Sequence, residues 1–587
     1  MLLSLVAGDR RPPAATSLHR PWIFDQITGM GASVSGTYDV IVIGAGHNGL
    51  VTAAYVARAG MSVLVLERGE HVGGAVASGE VTRPGFVHDL FATNQNLFLG
   101  SPAFAELGDD LARHGLRFAT TNRPYSNVFP DGRSLRVYRD ADRTRALLER
   151  HDPADAAGWD RLLELYDRFA PVLFELYGTR IPSRGAVRQL AHARRSLGVD
   201  GLEDLAQLVA SSTRALGDDF FASPEAKALV ASWGMHLDFG PDVAMGALFP
   251  FLELFTDMRN GMSVVEGGAS RLPEALAGIV REAGGEVRTS SPVRVVTVDG
   301  SRATGVELDS GERIQARRAL VANLTPGVLF SGMVPPEALP DGFRRRIARY
   351  VYGPGTMMIH AALSAPLTWV AGEDLHEFGY VHVGPYVDDM ARTYAEALAG
   401  LLPSSPTLVV GQTTAIDPGR APAGGHVLWI QVRMVPPRIG GDAAGSIEAR
   451  GWEDAKRPLA ERVLDKLERY APEARERLLD WTVLGPDDLE RHNPNLVGGD
   501  SIGGSHHLSQ NLLFRPVPGW SGYTTPVDRL YMVGAGTWPG AGVNAISGRL
   551  VAEMITGQRR RRTRRAGALA GIGAAAAVAL AAWRARR

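Results

Sequence analysis

The chain has 587 residues, 45% of them hydrophobic and 21% charged, whereas a single hydrophobic core stops growing at about 250–300 residues. We therefore expect two domains that share a cleft. The 62 basic and 63 acidic residues nearly cancel, which argues against a nucleic-acid partner. Cysteine is absent, so disulfides, thiolate metal sites and redox dithiols are excluded, and any redox chemistry must come from a bound cofactor.

The two ends of the chain differ from the rest. Residues 1–36, which precede the first predicted strand, are predicted to be an extension. Their short apolar start lacks a preceding basic region and is a poor secretion signal. Residues 558–587 form a basic tail in which 566–583 carry no charge and, as a helix, would be long enough to cross a bilayer. We predict a protein of the cytoplasmic side that is not secreted and associates with a membrane through 566–583. The alternative is a basic cytosolic tail.

Between these ends the hydrophobic pattern predicts an α/β fold. Helical periodicity dominates residues 140–232, and short apolar runs bounded by turn residues read as strands. The predicted strands are Tyr38–Ile43, Ser62–Glu67, Val293–Val298, Gly305–Leu308, Ala319–Ala322, Val427–Val432 and Arg529–Val533.

A glycine-rich turn follows the first predicted strand. Residues 44–49 read GAGHNG, an apolar helix comes next, and the second strand ends at Glu67. Strand, GxGxxG turn, helix and a following acid together form the dinucleotide fingerprint. Gly44 permits the tight turn, Gly46 lets the backbone approach a diphosphate, and Gly49 lets helix and strand pack closely. The alternative is a glycine-rich turn without a ligand.

The second glycine pair distinguishes between dinucleotides. Gly73 and Gly74 follow Glu67 within a few residues, and a plain NAD domain has no need of them. A flavoprotein uses such a pair to bring backbone close to the diphosphate and the flavin. No second strand–GxGxxG–helix unit is present in the sequence, so we predict FAD and no separate pyridine-nucleotide domain.

Four stretches, 39–86, 264–296, 417–433 and 515–555, carry a family resemblance. They include DVIVIGAGHNGL near the start and MVGAGTWPGAGVNAISG near the end, and they resemble the phytoene desaturase-related FAD-dependent oxidoreductases. That family holds carotenoid desaturases, flavin-type β-carotene ketolases and pyridine nucleotide-disulfide oxidoreductase domain-containing protein 2. The stretches 417–433 and 515–555 look closest to the third branch.

The resemblance implies a domain plan and a set of cofactor contacts. A Rossmann-like FAD-binding domain of the glutathione-reductase type would come from 37–100, 262–330 and 515–557, and an inserted α+β substrate domain from 101–261 and 331–514. The implied contacts are Gly44, Gly46 and Gly74 for the diphosphate, Glu67 for the ribose, Val293 for the adenine, and Gly536, Gly542 and Val543 for the isoalloxazine, with Gly49, Arg68, Gly73 and Ala75 in the same motifs.

The last motif also implies a helix beginning near Gly542, whose N-terminus would face the N1/O2 edge of the flavin and stabilise the anion formed on reduction. Family members often read G-x-x-x-H-P-G-G-G where this chain has GAGTWPGAG at 534–542. Trp538 therefore replaces a histidine, and Ala541 replaces a glycine.

The sequence identifies no catalytic residue. His506 and His507, a loop pair, and Trp538 are the candidates, with an ordinary loop pair as the alternative for the histidines. Amine oxidases of this fold place a lysine near flavin N5, but we expect all three lysines, Lys227, Lys456 and Lys466, to be solvated. No third histidine or carboxylate recurs at ligand spacing, so no metal site is expected.

Aromatic residues in the stretch 140–260 favour an apolar substrate, with core packing as the alternative; they are Phe220, Phe221, Trp233, Phe239, Phe249, Phe251 and Phe255. With the resemblance, this predicts an FAD-dependent dehydrogenase that moves hydride from an isoprenoid, carotenoid or lipid-like substrate to flavin N5. Oxygen, a quinone or another acceptor would reoxidise the flavin. The alternatives are a flavin-dependent carotenoid ketolase and a non-catalytic lipid-binding or escort protein.

Overall fold

The computed structural model describes residues 34–384 and 386–557. Within these ranges lie twenty strands: β1 Val34–Ile43, β2 Val63–Leu66, β3 Ser78–Gly79, β4 His88–Asp89, β5 Phe118–Thr121, β6 Tyr125–Val128, β7 Ser134–Val137, β8 Met262–Val265, β9 Glu286–Arg288, β10 Val293–Asp299, β11 Arg302–Leu308, β12 Arg313–Ala322, β13 Gly355–Leu363, β14 Tyr380–Val383, β15 Leu401–Leu402, β16 Thr407–Gly411, β17 His426–Val435, β18 Gly441–Asp442, β19 Leu478–Leu484 and β20 Leu530–Met532.

The same ranges contain sixteen α-helices: α1 His47–Arg58, α2 Asn96–Leu99, α3 Pro102–Arg113, α4 Ala141–His151, α5 Pro153–Tyr177, α6 Arg184–Ala210, α7 Thr213–Phe220, α8 Pro224–Gly234, α9 Leu248–Asn260, α10 Arg271–Glu282, α11 Pro326–Val328, α12 Asp341–Ile347, α13 Val387–Leu398, α14 Trp452–Glu468, α15 Pro486–His492 and α16 Ile546–Thr556. The predicted α/β class is confirmed.

The first sheet has seven strands, ordered β10-β11-β12-β1-β2-β9, with β20 added beside β12. The pairs β12–β1, β1–β2, β2–β9 and β12–β20 are parallel, whereas β10–β11 and β11–β12 are antiparallel. All four residues of β2 are buried, as is typical of a parallel strand covered on both faces. Helix α1 packs against α10 and α16 on this sheet.

The second sheet also has seven strands, in the order β19-β13-β17-β16-β14-β6-β7. It is antiparallel except at the β14–β6 pair. One large hydrophobic cluster joins this sheet to the helices of residues 153–260 and includes Trp159, Phe169, Trp233 and Phe251. The predicted helical region therefore covers the second sheet.

The structure can be compared with the predicted boundaries of the N-terminal extension and of the C-terminal tail. Strand β1 begins at Val34, and Val34 and Gly36 pair with Arg313 and Ile314 of β12, so residues 34–36 belong to the sheet and not to an extension. The segment 566–583 lies outside the described residues. In the described part of the chain, no helix combines the length and the apolar character that a bilayer crossing requires.

A buried network of ion pairs connects a loop of the second sheet to short strands beside the first sheet. Arg420 is fully buried; its Nη1 lies 2.8 Å from an oxygen of Asp89 in β4, and its Nε lies 3.1 Å from an oxygen of Asp417. Its Nη2 donates to the carbonyl of Val265 in β8. The residues that carry the resemblance at 417–420 thus tie the second sheet's loop to the strands beside the first sheet.

Candidate active site

The turn after β1 has room only for glycine at its key positions. Gly44 has φ +90°, and its N–H donates to the carbonyl of Leu66 at 2.8 Å. A Cβ at Gly49 would lie 2.5 Å from the carbonyl oxygen of Gly44, closer than any real Cβ contact. The backbone therefore bends sharply between β1 and α1, as the fingerprint predicts.

The second glycine pair lies directly beside this turn. The N–H of Gly73 donates to the carbonyl of Ala45 at 2.9 Å, and Gly73 forms an isolated bridge with Gly46. A Cβ at Gly74, which has φ +61°, would lie 3.7 Å from the Cα of Gly46. The backbones of Gly46 and of Gly73–Gly74 thus face each other without side chains between them. We call this surface the glycine cradle, and a diphosphate needs such close access to backbone. Ala75, next along the chain, is only partly buried.

Glu67 is held against the same turn. One carboxylate oxygen accepts from the N–H of Ala45 and the other from the N–H of Gly69, each at 2.8 Å. A carboxylate oxygen has more than one lone pair, so both oxygens retain capacity to accept from ribose hydroxyls. Arg68 is exposed. The N–H of Ser291 donates to the Glu67 carbonyl, which brings the start of β10 at Val293 into this neighbourhood.

The N-terminus of α1 completes this end of the site. No side chain caps it among the described residues, no acid lies in its first turn, and its first intrahelical hydrogen bond runs from Leu50 N–H to the Gly46 carbonyl. The preceding N–H groups and the positive end of the helix dipole face the glycine cradle. Such a terminus is a ready anion site, and the cradle therefore fits the diphosphate of a dinucleotide.

Two asparagines connect the first and last motifs of the chain. The Asn48 side-chain oxygen accepts from Ser547 Oγ and from the Gly548 N–H, while the Gly534 N–H donates to the same Ser547 hydroxyl. The Asn323 side chain fills the space where a Cβ of Gly46 or Gly534 would stand, at 2.4 and 2.6 Å. Sequence reasoning missed both asparagines, although Asn48 lies inside the GAGHNG motif.

The helix predicted to begin near Gly542 begins four residues later, at Ile546. The Asn544 side chain donates to the carbonyl of Gly542 and accepts from the N–H of Ile546, and Ala545 adopts φ +60°. This left-handed residue keeps the chain out of the helix until Ile546, so the prediction was wrong by one turn.

The other predicted isoalloxazine contacts lie in tight backbone. Gly542 has φ +98°, and a Cβ there would lie 2.5 Å from Leu97 Cδ1. A Cβ at Gly536 would meet Pro326 at 2.7 Å, and Val543 is buried in the core of the first sheet. Their role as flavin contacts stays a prediction.

A cavity of about 110 Å³ opens onto this last motif. Its walls are mostly apolar and come from the end of α5 (Phe174 and Tyr177) and from α9 (Leu248, Phe249 and Leu252). Pro539, Ala541, Asn544 and Ile546 also line it, and they flank Gly542 and Val543, for which the resemblance implies contacts with the isoalloxazine. Of the aromatic residues predicted to line a channel, Phe239 and Phe249 do so, whereas Trp233, Phe251 and Phe255 pack in the core.

The candidate histidines occupy different environments. His506 is buried in the cavity wall, and its Nε2 accepts from the N–H of Ala541 at 3.0 Å. Burial, together with the charge of Arg515, holds the pKa of His506 well below its usual range, so its ring is neutral. His507 does not line the cavity, and its Nε2 lies 2.9 Å from the carbonyl oxygen of Asp238. Of the pair, only His506 is placed beside the predicted flavin end.

Trp538 is not a cavity residue. Its indole N–H donates to the carbonyl of Thr179 at 3.2 Å, and its ring packs on Tyr177. Arg515, fully buried, donates to the carbonyls of Ser505, Gly503 and Ala535. It thereby fastens the loop that carries His506 to the last motif.

No lysine lines the described part of the cavity wall. The expectation that all three lysines are solvated was wrong, because Lys466 is buried. Lys227 pairs with Asp218, and Lys456 pairs with Asp488, each at 2.8 Å. Lys466 is 6% exposed and donates to the Pro406 carbonyl and the Ser405 hydroxyl. Burial lowers the pKa of Lys466 to about 8. The polar sequence around it did not reveal the packing of α14.

Among residues 34–384 and 386–557, one group of acidic side chains has ligand-like spacing. Carboxylate oxygens of Glu453, Asp487 and Asp488 lie within 4.8 Å of one another. The Lys456 ammonium lies 2.8 Å from Asp488 and 3.5 Å from Glu453. This lysine supplies the positive charge, so the cluster is a salt-bridge network.

Sequence comparisons agree with the site. The model of a family described as flavin containing amine oxidoreductase matches residues 49–552. Pyridine nucleotide-disulfide oxidoreductase domain-containing protein 2 of Rattus norvegicus is 28% identical, covering 90% of this chain and 95% of its own. A limonene dehydrogenase chain of Castellaniella defragrans is 27% identical, covering 86% and 91%. Phytoene dehydrogenase of Streptomyces griseus is 27% identical, covering 90% and 97%.

Solved structures share the fold. An oxidoreductase from Methanosarcina mazei matches with a TM-score of 0.55 at 17% identity, covering 88% of this chain and 99% of that one. A redesigned putrescine oxidase matches with a TM-score of 0.58 at 17% identity, covering 89% and 99%. The predicted family is thereby confirmed: the chain belongs to the flavin-containing amine oxidoreductases and is a flavin-dependent oxidoreductase related to the carotenoid desaturases.

Proposed function

We propose that the protein is an FAD-dependent dehydrogenase of the desaturase type, acting on an apolar, isoprenoid or other lipid-like substrate. The single observation that carries this proposal is the apolar cavity that ends at Pro539, Ala541 and Ile546. Relatives named for phytoene and for limonene support an apolar substrate. FAD, when bound, supplies a hydride acceptor at N5 of its isoalloxazine ring.

The chain's own residues would hold the two molecules and exclude water. The facing backbones of Gly46 and Gly74, with the N-terminus of α1, would bind the diphosphate, and Glu67 would accept from the ribose hydroxyls. Phe174, Leu248 and Phe249 would hold the apolar substrate by contact with its hydrocarbon surface. His506 is neutral and accepts a hydrogen bond from Ala541, so it would hold in place the cavity wall between the flavin and the substrate.

The cofactor part is tested by filling the cradle. Gly74→Ala places a methyl group over Gly46, so we expect FAD to bind at least about tenfold more weakly, a loss of about 1.4 kcal/mol. Gly300→Ala is the matched control, because Gly300 has φ +58° but open space around its Cβ. Mass spectrometry of the released cofactor and titration of apoprotein with FAD provide the measurements. Equal FAD affinity in both variants would contradict the assigned cradle.

The reaction is tested by anaerobic bleaching of the flavin with carotenoids, terpenes, quinols and fatty-acyl compounds. A dehydrogenase product has lost two hydrogens, whereas a ketolase product has gained oxygen, so product mass separates the two. Reoxidation of the bleached protein with oxygen or a quinone identifies the acceptor. A purified protein with no flavin spectrum, even after addition of FAD, would favour the escort alternative.

Membrane association through residues 566–583 is proposed from the sequence alone. Removal of 558–587 is expected to move the protein from the membrane fraction to the supernatant without loss of its flavin spectrum. Full-length protein found entirely in the supernatant would contradict it.

A further inference from the structure

Glu253 is a buried acid in the wall of the apolar cavity. It lies on α9 beside Leu252 and is 5% exposed. Within residues 34–384 and 386–557, its carboxyl group has neither a hydrogen-bond partner nor an ion pair. The side chain borders the cavity, so a molecule held in that cavity is the partner still open to this carboxyl group.

Asp257, one turn further along α9, shows what an ordinary buried acid looks like here. Its carboxyl oxygens accept from the side-chain amides of Asn94 and Asn96. Glu253 has no such donors in the described part of the chain, although it stands in the same helix and is also buried. The difference is that the Glu253 side chain borders the cavity, where a ligand can supply the missing partner.

The protonation state decides what that partner must be. Burial, reinforced by the neighbouring Asp257, raises the pKa of Glu253 well above its usual value. The side chain is therefore a neutral carboxylic acid that offers an O–H donor to the cavity. A pure hydrocarbon would leave this donor unsatisfied.

We propose that Glu253 is a binding residue that donates a hydrogen bond to a hydroxyl or carbonyl oxygen of an otherwise apolar substrate. This inference rests on the proposed function, because it concerns the same cavity, and it narrows the substrate class to apolar molecules with one oxygen function.

The experiment uses three ligands that share one ring: methylcyclohexane, cyclohexylmethanol and cyclohexylmethylamine. Their affinities for the full-length flavin-loaded protein are measured by calorimetry and by the shift of the flavin absorption spectrum. We expect the wild type to bind the alcohol about tenfold more tightly than the hydrocarbon, the effect of one satisfied hydrogen bond.

Variants separate hydrogen bonding from charge. Glu253→Leu is expected to abolish the preference for the alcohol, while Glu253→Gln, whose amide N–H is also a donor, retains most of it. Glu164→Leu, at an exposed position on α5, is the matched control and should change neither affinity. If Glu253→Leu does not fold, Glu253→Met, which also lacks a hydrogen-bond donor, takes its place and should likewise lose the preference for the alcohol.

Three results would overturn the inference: no preference for the alcohol over methylcyclohexane in the wild type, an unchanged preference in Glu253→Leu, or a preference for the amine that disappears in Glu253→Gln. The last would show that an ion pair, and not a neutral donor, recognises the ligand. Failure of the proposed function is seen separately, because it appears as loss of the flavin spectrum or of bleaching while calorimetry still reports ligand binding.

Discussion

Among the buried acidic side chains of the described residues, two groups neutralise their charge in opposite ways. At the joint between the sheets, Asp89 and Asp417 are paired with the fully buried Arg420. On α9, Glu253 and Asp257 are also buried, and no cation pairs with them in the described part of the chain. Proton binding replaces the missing cation, because burial raises the pKa of both carboxyls.

The difference separates a structural site from a binding site. The side chains of the Arg420 network also form hydrogen bonds with the backbone of Val265, Gly267 and Ala269, so its charged groups hold the fold together. The Glu253 carboxyl bonds to no neighbour in the described residues and borders a cavity. An unpaired buried acid that the fold tolerates beside a cavity indicates a ligand, whereas a fully bonded one indicates architecture.

The largest effect is expected from breaking the paired site. Arg420→Met leaves two buried carboxylates without their cation, so we expect the free energy of unfolding to fall by about 3–5 kcal/mol. Urea denaturation measures it. Arg392→Met, which removes an exposed arginine paired with Asp389 on α13, is the control and should leave the midpoint unchanged. A fall in Arg420→Met below about 1 kcal/mol, the most that an exposed pair typically contributes, would contradict the structural assignment.

The next effect is a pH dependence at Asp257, which has amide hydrogen-bond donors but no cation beside it in the described residues. Burial raises the pKa of Asp257 to about 7, so the folded chain binds this proton more tightly than the unfolded chain does. The free energy of unfolding should therefore fall as the pH rises from about 4 to about 7, by on the order of 3 kcal/mol, and level off above.

Asp257→Asn should lose this part of the decline, because an amide does not titrate, while Glu253 still titrates in both proteins. Urea midpoints of wild type and variant at a series of pH values provide the measurement, and the difference between the two curves isolates this group. Parallel curves between pH 4 and pH 7 would show that Asp257 is ionised in the folded protein.

Lys466 is a buried cation without an acid ion-pair partner among the described residues, and it gives the opposite slope. Burial lowers the pKa of Lys466 to about 8, so the folded chain binds its proton more weakly than the unfolded chain. Relative to Lys466→Met, the wild type should gain stability as the pH rises from about 8 to about 10.5, by on the order of 2 kcal/mol. Lys227→Met, at a more exposed ion pair with Asp218, should show no such gain. The same urea series extended to alkaline pH tests it.

The smallest effect is expected at Glu253 itself. Glu253→Gln replaces a neutral, unbonded side chain with another, so the free energy of unfolding at pH 7 should change by less than about 1 kcal/mol. Asp89→Asn, which removes a charge that Arg420 needs, is the comparison and should cost several times more. Equal losses in the two variants would remove the distinction between the two buried acidic sites.

The cofactor end could be read from the sequence because its chemistry is local. Gly44, Gly46 and Gly49 lie within one turn, and Glu67 ends the adjacent parallel strand, so their spacing alone brings them together. The start of α16 was misplaced because one side chain, that of Asn544, holds the preceding turn through hydrogen bonds that no periodicity reveals.

The amino-acid sequence by itself determined the family, through the resemblance of its motifs, and the α/β class and the glycine cradle, which rest on short-range backbone geometry. Only the tertiary structure decided that Lys466 is buried, that His506 and not His507 faces the last motif, and that Glu253 has no partner among the described residues. The physical reason is that burial and hydrogen-bond satisfaction depend on which distant segments pack together, and residues hundreds of positions apart, such as Asn48 and Ser547, meet only in the folded chain.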